Sequence, residues 1–305
     1  MRVALIFVFL CIVNNLGISQ GFCSNNIGDH DSGSWLKCSN TNIQEALSAG
    51  NLAFSGIVIS HSNISTIGPY AFTKYAGTLK ELNLLTCGIS SVSPNAFKTL
   101  SQLRKLSLAY NNITVVHPEW FDDLIWLEDL DLSFNNIGTI PSKAFEGMAN
   151  VRSLSIRHNK MTCFRTADTF AKMKSLKEIH IEGNPWEMNY RGKMTRWFHD
   201  KKINYHVNTK TMEHILDEIL WICSNRESNV CGSENHVRDC FAILLLNQLR
   251  SAERTSNSYA LVESKCIRER NEFTTCVSRS TDNKVTTNGK AVKMLLSGLW
   301  AMKSS

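Results

Sequence analysis

The sequence predicts an α/β solenoid with a parallel sheet on its concave side, followed by a cysteine-rich helical module at the C-terminus. Three observations carry that prediction. The pattern LxxLxLxxNxIxxI recurs, with Leu82, Leu106, Leu130 and Leu154 spaced 24 residues apart. A second spine, Phe72, Phe97, Phe121, Phe145 and Phe170, repeats at an interval of 24 or 25. Five of the ten cysteines lie beyond residue 222.

The elements follow in chain order. Met1-Arg2, the apolar run Val3 to Val13 and the small residues around Ser19 and Gly21 read as a signal peptide over residues 1–20. That apolar run is too short to span a bilayer. Cys11 leaves with it, so nine cysteines remain. Residues 51–183 hold about six repeats, beginning with the weaker copy FSGIVISHSNISTI at Phe54 and including LRKLSLAYNNITVV at Leu103. In each, alternate Leu/Ile side chains of a short strand face inward. One repeat has nothing to bury that face against, so neighbours stack into a continuous core. Asn111, Asn135, Asn159 and Asn184 form a column whose amides satisfy backbone groups inside the turn. Cys87 occupies the same column and Ser62 its first slot. In the tail, residues 223–305, Val237 to Glu253, Tyr259 to Arg270 and the set Val292, Leu295, Leu296, Leu299 are spaced as helices.

These repeats resemble extracellular leucine-rich-repeat proteins of the typical 24-residue type, as in Toll-like receptor ectodomains and secreted animal proteins. The resemblance covers roughly residues 22–210 and implies caps at both ends. Residues 21–50, with Cys23, Cys38 and Trp35-Leu36-Lys37, resemble a cysteine-bearing N-terminal cap. Residues 184–222, opening on Asn184-Pro185-Trp186, resemble the C-terminal cap in degenerate form. Met188 and Tyr190 stand where the family carries a Cys-x-Cys pair, so its standard bridges cannot form and apolar packing alone is expected to hold the cap. Cys23 is expected to bond Cys38 and Cys87 to stay a free, buried thiol. Cys163, Cys223, Cys231, Cys240, Cys266 and Cys276 then allow 15 connectivities.

Composition narrows function. A net charge of +6 over 305 residues, with no basic block beyond Lys201-Lys202, argues against nucleic acid as a partner. Cys231-x4-His236-x3-Cys240 lacks the Cys-x2-Cys start of a zinc knuckle, and secretion favours disulfides, so no metal and no cofactor is expected. There is no GxSxG elbow, phosphate-binding glycine loop or HExxH, so no catalysis is expected. No later segment is long enough to be a transmembrane helix. Two sequons, at Asn63 and Asn112, hold the same repeat position and predict glycans along one edge.

What the fold offers is a surface. One outward column reads His61, Thr86, Tyr110, Phe134, His158, Gly183, and aromatic exposure of that kind marks interaction sites. The binding centre is expected at Tyr110, Phe134 and His158 on consecutive strands, with Asp131 and Arg157 tuning specificity and His61 and His158 adding pH dependence. The other reading of Tyr110 and Phe134 is that they merely cover strand edges. The function expected is a secreted, non-enzymatic recognition protein that binds a protein or microbial-surface ligand through the concave face. The alternatives are a structural scaffold whose cysteine-rich tail joins chains into an oligomer, or an enzyme inhibitor.

Overall fold

The computed structural model describes residues 22–27, 33–48, 54–164 and 169–205, with Leu220, Trp221, Cys223, Ser224 and Cys240. The expected signal peptide and most of the expected helical tail, with Cys231, Cys266 and Cys276, lie outside the described residues. Two compact units divide the chain after Pro185, and the second also takes residues 165–167.

The first unit is the solenoid. Its strands are β1 (Phe22–Ile27), β2 (Ser34–Ser39), β3 (Gly56–Ser60), β4 (Thr66–Ile67), β5 (Glu81–Leu85), β6 (Ser91–Val92), β7 (Lys105–Ser107), β8 (Asp129–Asp131), β9 (Ser153–Ser155) and β10 (Glu178–His180). Eight of them form one sheet in the order β1-β2-β3-β5-β7-β8-β9-β10, while β4 and β6 pair separately. The main sheet is parallel except for the antiparallel pair β1–β2. Leu82, Leu106, Leu130, Leu154 and Ile179 stand in mutual register, so one leucine per repeat meets its equivalent in the next. All five are buried.

The sheet extends beyond the repeats into the cap, where β2 pairs parallel to β3 and β1 folds back on β2. Capping strands cover an edge that would otherwise present unpaired backbone groups. Trp35 stands opposite Gly56, and a Cβ on Gly56 would overlap its indole, so the glycine makes room for the ring. Cys23 and Cys38 face each other across β1 and β2 and are bonded, with Cα atoms 4.1 Å apart.

The asparagine column closes each turn. Asn111 Oδ1 accepts from the N–H groups of Cys87 (3.0 Å) and Ile89 (3.1 Å), and its Nδ2 donates to the carbonyls of Leu84, Leu108 and Ala109 at 2.7–3.1 Å. Asn135, Asn159 and Asn184 repeat this arrangement one turn further each time. Cys87 fills its slot with a thiol that donates to the carbonyls of Ile59 (3.4 Å) and Leu85 (3.3 Å). It is free and buried, and burial pushes its thiol above the ordinary range. Thiol reagents are therefore expected to leave Cys87 unmodified in the folded protein and to label it once the chain is denatured without reduction. Rapid labelling of native protein at Cys87, read by peptide mapping, would contradict this packing.

On the far side of the coil all five spine phenylalanines are buried. Trp120, which the repeat pattern does not single out, joins them: it is fully buried, edge-on to Phe97, and its Nε1–H donates to the carbonyl of Ser93 at 3.1 Å.

The second unit contains the helix Met188–Asp200, which buries Asn189, Gly192, Met194, Thr195 and Phe198. Apolar packing alone does not hold it, contrary to the sequence reading. Trp221 Nε1 donates to Thr195 Oγ1 at 2.8 Å, and a disulfide links Cys223 to Cys240. The bridge lies beyond the cap, among the tail cysteines expected to pair, so within the cap it is the Trp221–Thr195 bond that adds to apolar packing. Cys163, in the first unit, is disulfide-bonded as well. Among the described residues, no helix is long and apolar enough to cross a membrane.

Candidate binding face

Each repeat leaves its strand through a left-handed residue. His61, Thr86, Tyr110, Phe134 and His158 have φ between 49° and 57°, and Gly183 completes the column at 70°. The bend turns the next residue inward, which is how the asparagine amides reach buried carbonyls. For an L-residue that conformation costs about 1–2 kcal/mol, and glycine or asparagine carries it most cheaply. Here four aromatic rings and a β-branched threonine occupy it instead.

This corrects the sequence reading on one point. Tyr110, Phe134 and His158 do not lie on the strands: β7, β8 and β9 end three residues earlier, at Ser107, Asp131 and Ser155. The rings stand on the rim where strand becomes turn. They are nonetheless continuous. Tyr110 stacks on Phe134 with ring centroids 4.2 Å apart and planes 8° from parallel. Phe134 stacks on His158 at 4.3 Å and 16°. A Cβ on Gly183 would overlap the His158 imidazole, so the glycine lets that ring lie over backbone. The Arg157 guanidinium carbon sits 5.3 Å from the centre of the Phe134 ring. Phe134, covered on both faces, is half-buried, whereas Tyr110 remains 51% exposed. Stacks and cation–π contacts contribute about 0.5–1.5 kcal/mol each, enough to hold these rings as a rigid ridge.

Beside the ridge runs a trough of about 300 Å³, lined among others by Glu81, Lys105, Asp129, Asp131, Arg157 and His180. Lys105 pairs with Asp129 at 3.8 Å, and Arg157 with Glu182 at 3.5 Å. His180 lies 3.3 Å from Glu178 and 3.9 Å from Glu182. Such exposed pairs contribute at most about 1 kcal/mol each and orient side chains more than they stabilise the fold. Asp131 Oδ1 accepts the Ser133 N–H at 2.9 Å, and Ser107 and Ser155 flank it in register. On this face Glu81, Asp129, Asp131, Glu178 and Glu182 stand against Lys105 and Arg157, five formal negative charges against two positive.

The expected site residues therefore divide. Tyr110, Phe134, His158 and Arg157 form one cluster, Asp131 lies in the adjoining trough, and His61 stands two repeats away beyond Thr86. The left-handed backbone of the column was missed; Gly183 at the end of the column was its one visible sign. Asn63 and Asn112 are both exposed.

Thr86 gives a direct test of the column's strain. Replacing it with Asn, which tolerates this φ, is expected to raise stability by about 1 kcal/mol, read as a shift in the urea midpoint. A fall in stability would mean that Thr86 is not strained.

A family model described as leucine rich repeat matches residues 77–137 and 125–185. No curated protein matches the chain. Solved structures do. The crystal structure of a TLR13–ssRNA13 complex is similar at 25% identity and a TM-score of 0.44, over 54% of this chain and 23% of that one. A leucine-rich-repeat protein of Leptospira interrogans is similar at 22% identity and 0.40, over 44% and 32%. The APL1 leucine-rich repeat domain is similar at 19% identity and 0.44, over 50% and 42%. The chain thus spans less than half the length of each of these.

Proposed function

We propose that this leucine-rich-repeat protein is a secreted, non-enzymatic recognition molecule that binds a protein or microbial-surface ligand on its sheet face. The observation that carries the proposal is the stacked ridge Tyr110–Phe134–His158 beside an acidic trough. Aromatic side chains supply large contact area with few rotors, and rings already locked by stacking lose little entropy on binding. The acidic surplus favours a partner with basic groups, and its field speeds their encounter.

Affinity purification from the native extracellular fluid, followed by amine crosslinking and mass spectrometry, tests this. Crosslinks at Lys105, inside the trough, are expected. Crosslinks confined to Lys193, Lys201 and Lys202 would place the partner on the second unit and contradict the proposal.

The covalent-scaffold reading has less support, because Cys87, the free thiol among the described residues, is buried. Secretion predicts glycans at Asn63 and Asn112, both exposed. Peptide mapping that finds both unmodified in protein recovered from the extracellular medium would count against the secretory route.

A further inference from the structure

The ring ladder has a vacant rung. Its column runs His61, Thr86, Tyr110, Phe134, His158, all with φ between 49° and 57°. Main-chain hydrogen bonds tie each step to the next: His61 N–H to Leu85 C=O (3.1 Å), Thr86 to Ala109 (3.4 Å), Tyr110 to Ser133 (3.0 Å) and Phe134 to Arg157 (3.0 Å). Equal backbone conformation in equal register sends every Cα–Cβ bond the same way. His61 and Tyr110 therefore flank Thr86 as Tyr110 and His158 flank Phe134.

In the filled part, one ring sits between two others at 4.2 and 4.3 Å. At residue 86 a small side chain stands in place of the ring, and Thr86 is exposed. The Phe134 ring has no free face, and His158 lies over Gly183, so the outer face of Tyr110 is the ladder's open stacking surface. Its 51% exposure agrees with that. Strands stack about 4.8 Å apart, so His61 and Tyr110 stand about 9.6 Å apart along the column, which leaves room for one planar group between them.

We propose that the slot over Thr86, between His61 and Tyr110, receives an aromatic side chain of a basic polypeptide segment. This rests on the proposed recognition role and names its chemistry. The residue before Thr86 is the half-buried Leu85, an apolar neighbour for an aromatic ring. Glu81 and Asn83 lie on the same strand, with the Glu81 carboxylate held by the Asn83 amide at 2.8 Å, and the acidic trough continues beyond. A lysine or arginine next to the inserted ring meets carboxylates there, whereas a phosphorylated planar group is repelled.

The test uses the full chain and the peptide acetyl-Lys-(5-fluoro-Trp)-Lys-amide, followed by fluorine NMR. A saturable upfield shift is expected, since the indole enters between two rings. Thr86→Trp, which fills the slot from within at a φ that Tyr110 already tolerates, is expected to weaken binding at least tenfold. His61→Ala, which removes one wall, serves if Thr86→Trp fails to fold, and is expected to weaken it several-fold. Acetyl-Lys-Leu-Lys-amide and 5-fluorouridine monophosphate are expected not to compete. No saturable shift, binding indifferent to both variants, or equal competition by either control overturns the proposal. The wider reading fails separately. If the natural partner is lost on Tyr110→Ala/Phe134→Ala while the peptide gives no shift, the slot is wrong and the recognition face stands. If the peptide binds in the slot while the natural partner ignores that double variant, the slot stands and the recognition face falls.

Discussion

Replacing Asn135 with Ala is expected to destabilise the solenoid by about 1–3 kcal/mol, although it removes only a small polar side chain. Asn135 is buried, its Oδ1 accepts the Ile113 N–H at 3.0 Å, and its Nδ2 donates to the carbonyls of Leu108, Leu132 and Ser133 at 2.9–3.1 Å. Alanine leaves the Ile113 N–H without its partner, while the carbonyls of Leu108, Leu132 and Ser133 keep Asn111, Asn159 and Tyr110 as donors. An unsatisfied buried N–H costs about 1–3 kcal/mol, which sets the size of the loss. Asn135→Asp is expected to be no better, because it turns a donor facing three carbonyls into an acceptor. Asn136→Ala, at the exposed neighbouring position, should change stability by no more than about 0.5 kcal/mol. Urea unfolding of the three variants separates the cases. A loss below about 1 kcal/mol for Asn135→Ala would mean that the column is decoration rather than the closure of each turn.

That column also shows what made the fold legible. A 24-residue period needs no tertiary information, because the leucines, asparagines and phenylalanines that repeat are the ones whose environment repeats. Asn111 and Asn135 could be placed from spacing alone, and the structure gives them the same partners one turn apart. What breaks the period was harder to read. Trp120 enters the aromatic core beside Phe121, and no neighbouring repeat carries a tryptophan there to signal it. The Cys223–Cys240 bridge joins positions that no repeat pattern relates.

The binding face was legible in composition but not in geometry. Aligning the repeats put Tyr110, Phe134 and His158 in one outward column, and they do share one, although strict alternation from the buried Leu106 and Leu108 would turn position 110 inward. Alternation says nothing of the residue after a strand ends, where φ changes sign and the side chain moves to the rim. The ion pairs of Lys105 with Asp129 and of Arg157 with Glu182 depend on rotamers, which a sequence does not state. The result is a rigid ring ladder next to a charged trough, where the sequence suggested a single stripe.

Binding is proposed to rest on the Tyr110–Phe134–His158 ridge. Tyr110→Ala/Phe134→Ala removes two stacked rings, one of them the ring whose centre lies 5.3 Å from the Arg157 guanidinium carbon. Tyr110 is half exposed and Phe134 is half-buried on the rim, so the leucine core beneath is untouched and the fold should survive. Aromatic anchors at interface centres contribute at least about 2 kcal/mol, close to a thirtyfold change in Kd. The decisive measurement is the affinity of the natural partner for the double variant against the parent, at matched glycosylation and with both proteins shown to be folded. A loss of about thirtyfold or more is predicted; an unchanged Kd would contradict the claim and send the search for the site to the second unit.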